Sequence, residues 1–170
     1  MNPTGLEGIQ EQLPLGQNSE QPEHWDPSLL VGVPRALARG VEGIDASKFE
    51  GYDLWNCWEV SWLDLQGKPI TRIGQLVVSA NSPNLCESKS LKLYLNSFAN
   101  EKIESEAALI VRVSDDLETV LGIKPKFCLY PVDDTRFLVQ NPRGVCIDKL
   151  PVDLAVYEPN ALLLQTDPNQ

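Results

Sequence analysis

Apolar and polar positions alternate from Asp53 to Leu65, and Leu54, Trp58, Val60 and Trp62 fall on one side of that alternation. A period of two is the signature of a half-buried strand. Gln66-Gly-Lys-Pro69 then supplies turn residues, and Ile70 to Ala80 resumes as a second strand, so the two pieces predict a long hairpin. The period then changes. Leu91, Tyr94, Leu95 and Phe98 follow the i, i+3, i+4, i+7 rhythm of a helix with one buried stripe, predicted over Leu85 to Phe98. A second helix is predicted from Ser105 to Leu121. Its stripe is Ile103, Ala107, Ile110, Val113, Leu117 and Val120, and Gly122 is the stop. Lys124 to Pro131 reads as a third strand, with weaker strand pieces at Phe137 to Val139 and Val145 to Ile147. This ββααββ order predicts an α+β domain, an antiparallel sheet with two helices on one face.

The flanks carry less pattern. Residues 1–24, rich in Gln, Glu, Gly and Pro up to Gln21, predict a mobile extension. Trp25 to Arg39, with Leu29, Leu30, Val31, Val33 and two prolines, reads as an extended arm packed on the domain. Residues 25–150 form the expected module, and residues 151–170 an acidic, proline-punctuated tail or linker.

Composition narrows the function classes. The 170 residues are 42% hydrophobic and 22% charged, as expected of one globular domain with a sizeable core. A net charge of −10 argues against direct nucleic-acid binding, which needs a basic patch to neutralise phosphates. No run approaches a membrane span, and the polar, acidic N-terminus lacks a secretory pattern, so a cytoplasmic location and no membrane partner are expected. Cys57, Cys86, Cys128 and Cys146 are widely spaced and His24 is the only histidine. Free thiols are therefore expected and no metal site is.

The chemistry concentrates at the start of the first helix. Asn84-Leu-Cys-Glu-Ser-Lys-Ser-Leu-Lys-Leu-Tyr94 gathers a carboxylate, hydroxyls and two lysines there. A helix N-terminus has unpaired N–H groups and favours anions such as phosphate. Glu87 can accept from N–H donors, while Ser88 and Lys89 can donate. Lys89, Lys92 and Asn96 recur on a face other than the apolar stripe. A structural reading also fits: Asn84-x-x-Glu87 as a capping box and the lysines as a solvated face.

Glu87-Ser-Lys-Ser-Leu-Lys-Leu-Tyr94 resembles the signature of the NADPH-dependent 7-cyano-7-deazaguanine reductases, the nitrile oxidoreductases of queuosine biosynthesis. That signature runs Glu, variable, Lys, small, apolar, Lys, apolar, aromatic, and every fixed position is filled. Asp26-Pro-Ser-Leu-Leu-Val-Gly-Val-Pro-Arg35, Trp55 to Leu65 with Gly67, and Gly144-Val-Cys-Ile-Asp148 are similar to segments of the first module in the long, two-module form.

The resemblance implies a tunnelling fold (T-fold), whose modules join edge to edge into barrels with ligands at the interfaces, so a second module or a homo-oligomer is the expected partner. It implies reduction of 7-cyano-7-deazaguanine to 7-aminomethyl-7-deazaguanine, with NADPH as cofactor. Cys86, Glu87 and Ser88 would then contact the base, and Ser88 and Lys89 the NADPH. The family's nucleophilic cysteine and proton-donating aspartate have no counterpart here. The corresponding stretch, Lys48-Phe-Glu-Gly-Tyr-Asp53, lacks cysteine, and Ala99-Asn-Glu-Lys102 lacks the family's histidine. The chain thus looks like the first module without the second, inactive alone, and no catalytic residue is assigned. Cys57 reads as a packing residue, and Cys86 is the thiol nearest the motif. Two other readings stand beside this one. The chain could be a non-catalytic T-fold module that binds a purine- or pterin-like ligand or a partner subunit. It could also be a pterin-type T-fold enzyme, which the single His24 disfavours.

Overall fold

The computed structural model describes residues 22–41, 45, 50–139, 143–149, 151 and 155–163. The expected extension over residues 1–24 lies mostly outside the described residues, as do Lys48, Phe49 and much of the tail. The chain divides into two compact units, the first ending at Phe137 and the second beginning at Leu138.

In the first unit, β1 (Gly32–Pro34) leads into α1 (Arg35–Val41). The long strands β2 (Tyr52–Leu63) and β3 (Pro69–Ser79) follow, then the short β4 (Asn84–Cys86). Next come α2 (Ser88–Asn96), α3 (Glu106–Leu121) and β5 (Lys126–Tyr130). One antiparallel sheet has the order β2-β3-β5, and β1 pairs with β4 in a separate two-stranded ladder. The fold is therefore α+β. Among the described residues no strand follows β5: Phe137 closes a 3-10 turn from Thr135, and Val145 to Ile147 are irregular. The turn wins because the Asp134 carboxylate accepts from the Arg136 N–H at 3.1 Å, a local bond that competes with strand pairing.

The hairpin forms where expected. The Asp64 carboxylate accepts from the backbone N–H groups of Gln66 and Lys68, each at 2.9 Å, and Gly67 takes φ 87°. Helices α2 and α3 cover one face of the sheet. Val60, Trp62, Leu76, Val78 and Phe127 from the strands meet Leu91, Tyr94, Leu95, Phe98, Leu109, Val113, Leu117 and Leu121 in a single core. The expected stripe of α2 is buried in full. That of α3 is rotated: Ala107 is exposed, Ile110 and Val120 flank the core, and Leu109 and Leu121 take the central places. The reason is that Ile103 belongs to the approach segment, where its N–H donates to the Leu63 carbonyl at 2.9 Å, so it does not set the helix phase.

Three further expectations change. The β2 residues proposed to share one face are split, because the register with β3 shifts between Cys57 and Val60. Cys57 faces Gly74 and Val60 faces Arg72, leaving Trp58 and Glu59 together opposite Ile73. An extra residue flips every side chain beyond it, so Val60 and Trp62 enter the core while Leu54 and Trp58 stay exposed. The arm is not extended throughout: it becomes helical at Arg35, after Pro34 closes the ladder with β4. Finally, α2 begins at Ser88 rather than Leu85, since Asn84 to Cys86 are engaged in that ladder.

Candidate functional site

The start of α2 is held by Glu87. Its carboxylate accepts from the backbone N–H of Lys89 at 2.9 Å and of Ser90 at 2.7 Å, and from the Ser88 hydroxyl at 3.3 Å. Glu87 is thus the N-cap, and the capping-box reading with Asn84 is replaced, because the Asn84 amide donates to the Val120 carbonyl at 2.7 Å instead. A negative charge at this place also suits the helix dipole. The Glu87 side chain is buried, with 6% of the residue's surface open. Two buried serines fix the helix to the arm that precedes it. Ser90 donates to the Glu87 carbonyl at 2.8 Å and accepts from the Val31 N–H at 3.1 Å. One turn beyond the helix centre, Ser97 donates to the Tyr94 carbonyl at 2.6 Å and accepts from the Asp26 N–H at 3.3 Å. Trp25 clamps the far end: its indole N–H donates to Asp116 at 3.1 Å, and Arg112 lies 5.0 Å over its ring. The Tyr94 hydroxyl donates to the same carboxylate at 2.6 Å, and burial together with that acceptor drives the phenol far above its ordinary pKa.

Between α2 and β2 lies a groove of about 720 Å³, within the range of small-molecule sites. From the helix side Ser88, Lys92 and Asn96 line it as a polar row at i, i+4, i+8, with Leu91, Leu95 and Ala99 beneath. From the strand side come Trp55, Asn56, Cys57, Trp58, Glu59 and Ser61. Consecutive residues of β2 take part, so the groove runs along an edge of the strand. Among the described residues of the first unit, β2 pairs with β3 on one side, and on its other side Leu63, at the far end, pairs with Glu101 and Ile103. Of the residues expected at the site, the groove therefore contains Ser88. Glu87 and Cys86 are buried behind the helix start, and Lys89, half-buried, is not among the lining residues.

Neither thiol near the groove is a thiolate at neutral pH. Burial pushes Cys57 up to about 11. Burial pushes Cys86 up to about 11 against the opposing hydrogen bond with Ser90, and the neighbouring Glu87 charge adds a smaller rise. Such thiols behave as small apolar groups. His24 sits at the surface with Nδ1 3.1 Å from Glu101. No helix among the described residues is long and apolar enough to cross a membrane.

Comparison with known proteins matches this arrangement to a family. The profile described as "Nitrile reductase, 7-cyano-7-deazaguanine-reductase N-term" covers residues 21–127, which hold the arm, the hairpin, the motif helix and α3. The chain belongs to that nitrile reductase family. Its similar relatives include the NADPH-dependent 7-cyano-7-deazaguanine reductases of Chromohalobacter salexigens (40% identical over 91% of this chain and 57% of the relative) and Dechloromonas aromatica (41%, 92% and 56%). That of Ralstonia nicotianae is 40% identical over 94% of this chain and 59% of the relative. The chain thus spans little more than half the length of these nitrile reductases.

Sequence reasoning reached the helix side of the groove and missed the strand side. A strict period of two sets Trp58 on the same face as Val60 and Trp62, so neither Trp58 nor Glu59 reads as a groove residue from sequence. A signal was nonetheless present: apolar Trp55 and Cys57 occupy odd positions and Val60 and Trp62 even ones, and such a phase change within one strand marks a bulge.

Proposed function

We propose that this chain supplies ligand contacts to a nitrile reductase of queuosine biosynthesis, which converts 7-cyano-7-deazaguanine to 7-aminomethyl-7-deazaguanine with NADPH. The observation that carries this reading is the polar row Ser88, Lys92 and Asn96, which begins within the motif segment, includes its second lysine and runs on beyond it along a groove at the edge of β2. NADPH, when bound, supplies hydride. The residues fit such a group: Lys92 offers a point charge to phosphate, and Ser88 and Asn96 offer donors beside it. Lys89 adds positive charge at the same helix start. Glu87, with Cys86 and Ser88 beside it, acts on the base chiefly by fixing the helix end that meets it.

The nucleophile comes from elsewhere in this reading. Cys57 and Cys86 are held as thiols, so a cysteine-bearing second module of the T-fold type completes the site. The open edge of β2 is where such a module would pair, because unpaired N–H and C=O groups invite a strand. The isolated chain is then inactive. NADPH consumption with 7-cyano-7-deazaguanine tests this directly. The reading expects no turnover by the 170 residues alone and turnover on adding a cysteine-bearing module. Turnover by the chain alone, abolished by Cys86→Ala, would assign the nucleophile to this chain and end the division of labour.

A further inference from the structure

Trp58 and Glu59 are neighbours in the chain, yet both are exposed and both line the groove. In a regular strand one of two neighbours turns to the core. The bulge removes that constraint, since the pair stands against Ile73 alone. Trp58 keeps 62% of its surface open. Its ring is nonetheless held: Phe137 meets it at 5.9 Å with the planes 79° apart, and Phe137 rests on Tyr130 at 5.5 Å. Arg136, 4.2 Å over the Tyr130 ring, closes that row. Glu59 accepts a hydrogen bond from the Ser61 hydroxyl at 3.3 Å, and a carboxylate's two oxygens leave it further acceptor capacity. The contrast with Glu87 is plain, for that carboxylate is buried and engaged by two backbone N–H groups.

We infer that Trp58 and Glu59 form a ring-reading pair, in which Trp58 stacks on a planar heteroaromatic ring and Glu59 accepts from the ring's N–H edge. The inference rests on the proposed role of the groove as a ligand site. A purine-like base and the carboxamide-bearing nicotinamide ring share this chemistry, and the phosphate-directed row of α2 lies across the groove from the pair.

Calorimetric titration of the whole chain with 7-cyano-7-deazaguanine alone, and with NADPH alone, tests it. Trp58→Ala should weaken the bound ring about tenfold or more, while Trp58→Phe, which keeps a π-face, should stay within about threefold of the parent. Glu59→Gln should weaken the same ligand, and whichever of the two ligands responds is the source of the ring. Glu59→Gln should match the parent's thermal midpoint, and Trp58→Phe, which keeps a ring against Phe137, should lower it less than Trp58→Ala. Unchanged affinities in Trp58→Ala and Glu59→Gln would overturn the inference, as would a parent chain that binds neither ring. A Lys92→Ala control separates the two ideas. If it alone weakens NADPH, the groove reading stands and the ring-reading pair falls; if only the Trp58 and Glu59 variants respond, the pair stands and the phosphate role of Lys92 falls.

Discussion

At the scale of single residues, the motif carboxylate and the thiols do structural work. Glu87 satisfies two of the orphan N–H groups at the start of α2 from a buried position. Glu87→Ala should therefore cost about 1–2 kcal/mol in urea-induced unfolding. An unchanged midpoint would mean that the cap contributes nothing and that the carboxylate is available to a ligand. The thiols make a prediction in pH. Burial raises Cys57 and Cys86 from 9.0 to about 11, so the folded chain holds protons that the unfolded chain releases. Their contribution to stability is complete below pH 9.0 and is lost as the pH climbs to about 11. Denaturation midpoints measured across that window should fall, and Cys57→Ala should flatten the fall. The presence of these cysteines and of Glu87 was legible in the sequence. The packing of Cys57 was legible too, from its place in the strand, whereas the burial of Cys86 and Glu87 was not, because it depends on β1 pairing with β4, a long-range contact.

The elements show where pattern reading succeeds and where it stops. The α2 stripe was fully legible because four apolar residues at helical spacing admit one buried face. The start of α2 was not, because β4 competes for Asn84 to Cys86 and its partner lies some fifty residues away in sequence. In β2 the bulge converts one apparent face into two, and the site's strand side depends on that conversion. The arm shows the same dependence on distant partners. Its anchor, Trp25, reaches Asp116 and Arg112 on α3 and leans on Phe98 at 6.4 Å. Trp25→Ala should lower stability by about 1–2 kcal/mol, and Trp25→Phe, which keeps the ring contacts, by less. Equal losses in the two variants, read from chemical denaturation, would assign the anchor to the Asp116 hydrogen bond alone.

At the scale of the whole first unit, one helical layer lies on a three-stranded sheet, and among the described residues β2 pairs with a strand on one side only along the groove. The α+β class and the hairpin were readable from period and turn residues alone. The site was readable only in half, as the motif row. Its other wall arises from how β2 and α2 meet, which no local pattern encodes. In the proposed function these two walls hold one ligand. Amide hydrogen exchange with and without NADPH tests it most directly. The prediction is slower exchange in both the Trp55–Ser61 and the Ser88–Asn96 segments, with the rest of the first unit little changed. Protection confined to the α3 surface near Trp25 and Arg112, or none in either wall, would contradict it.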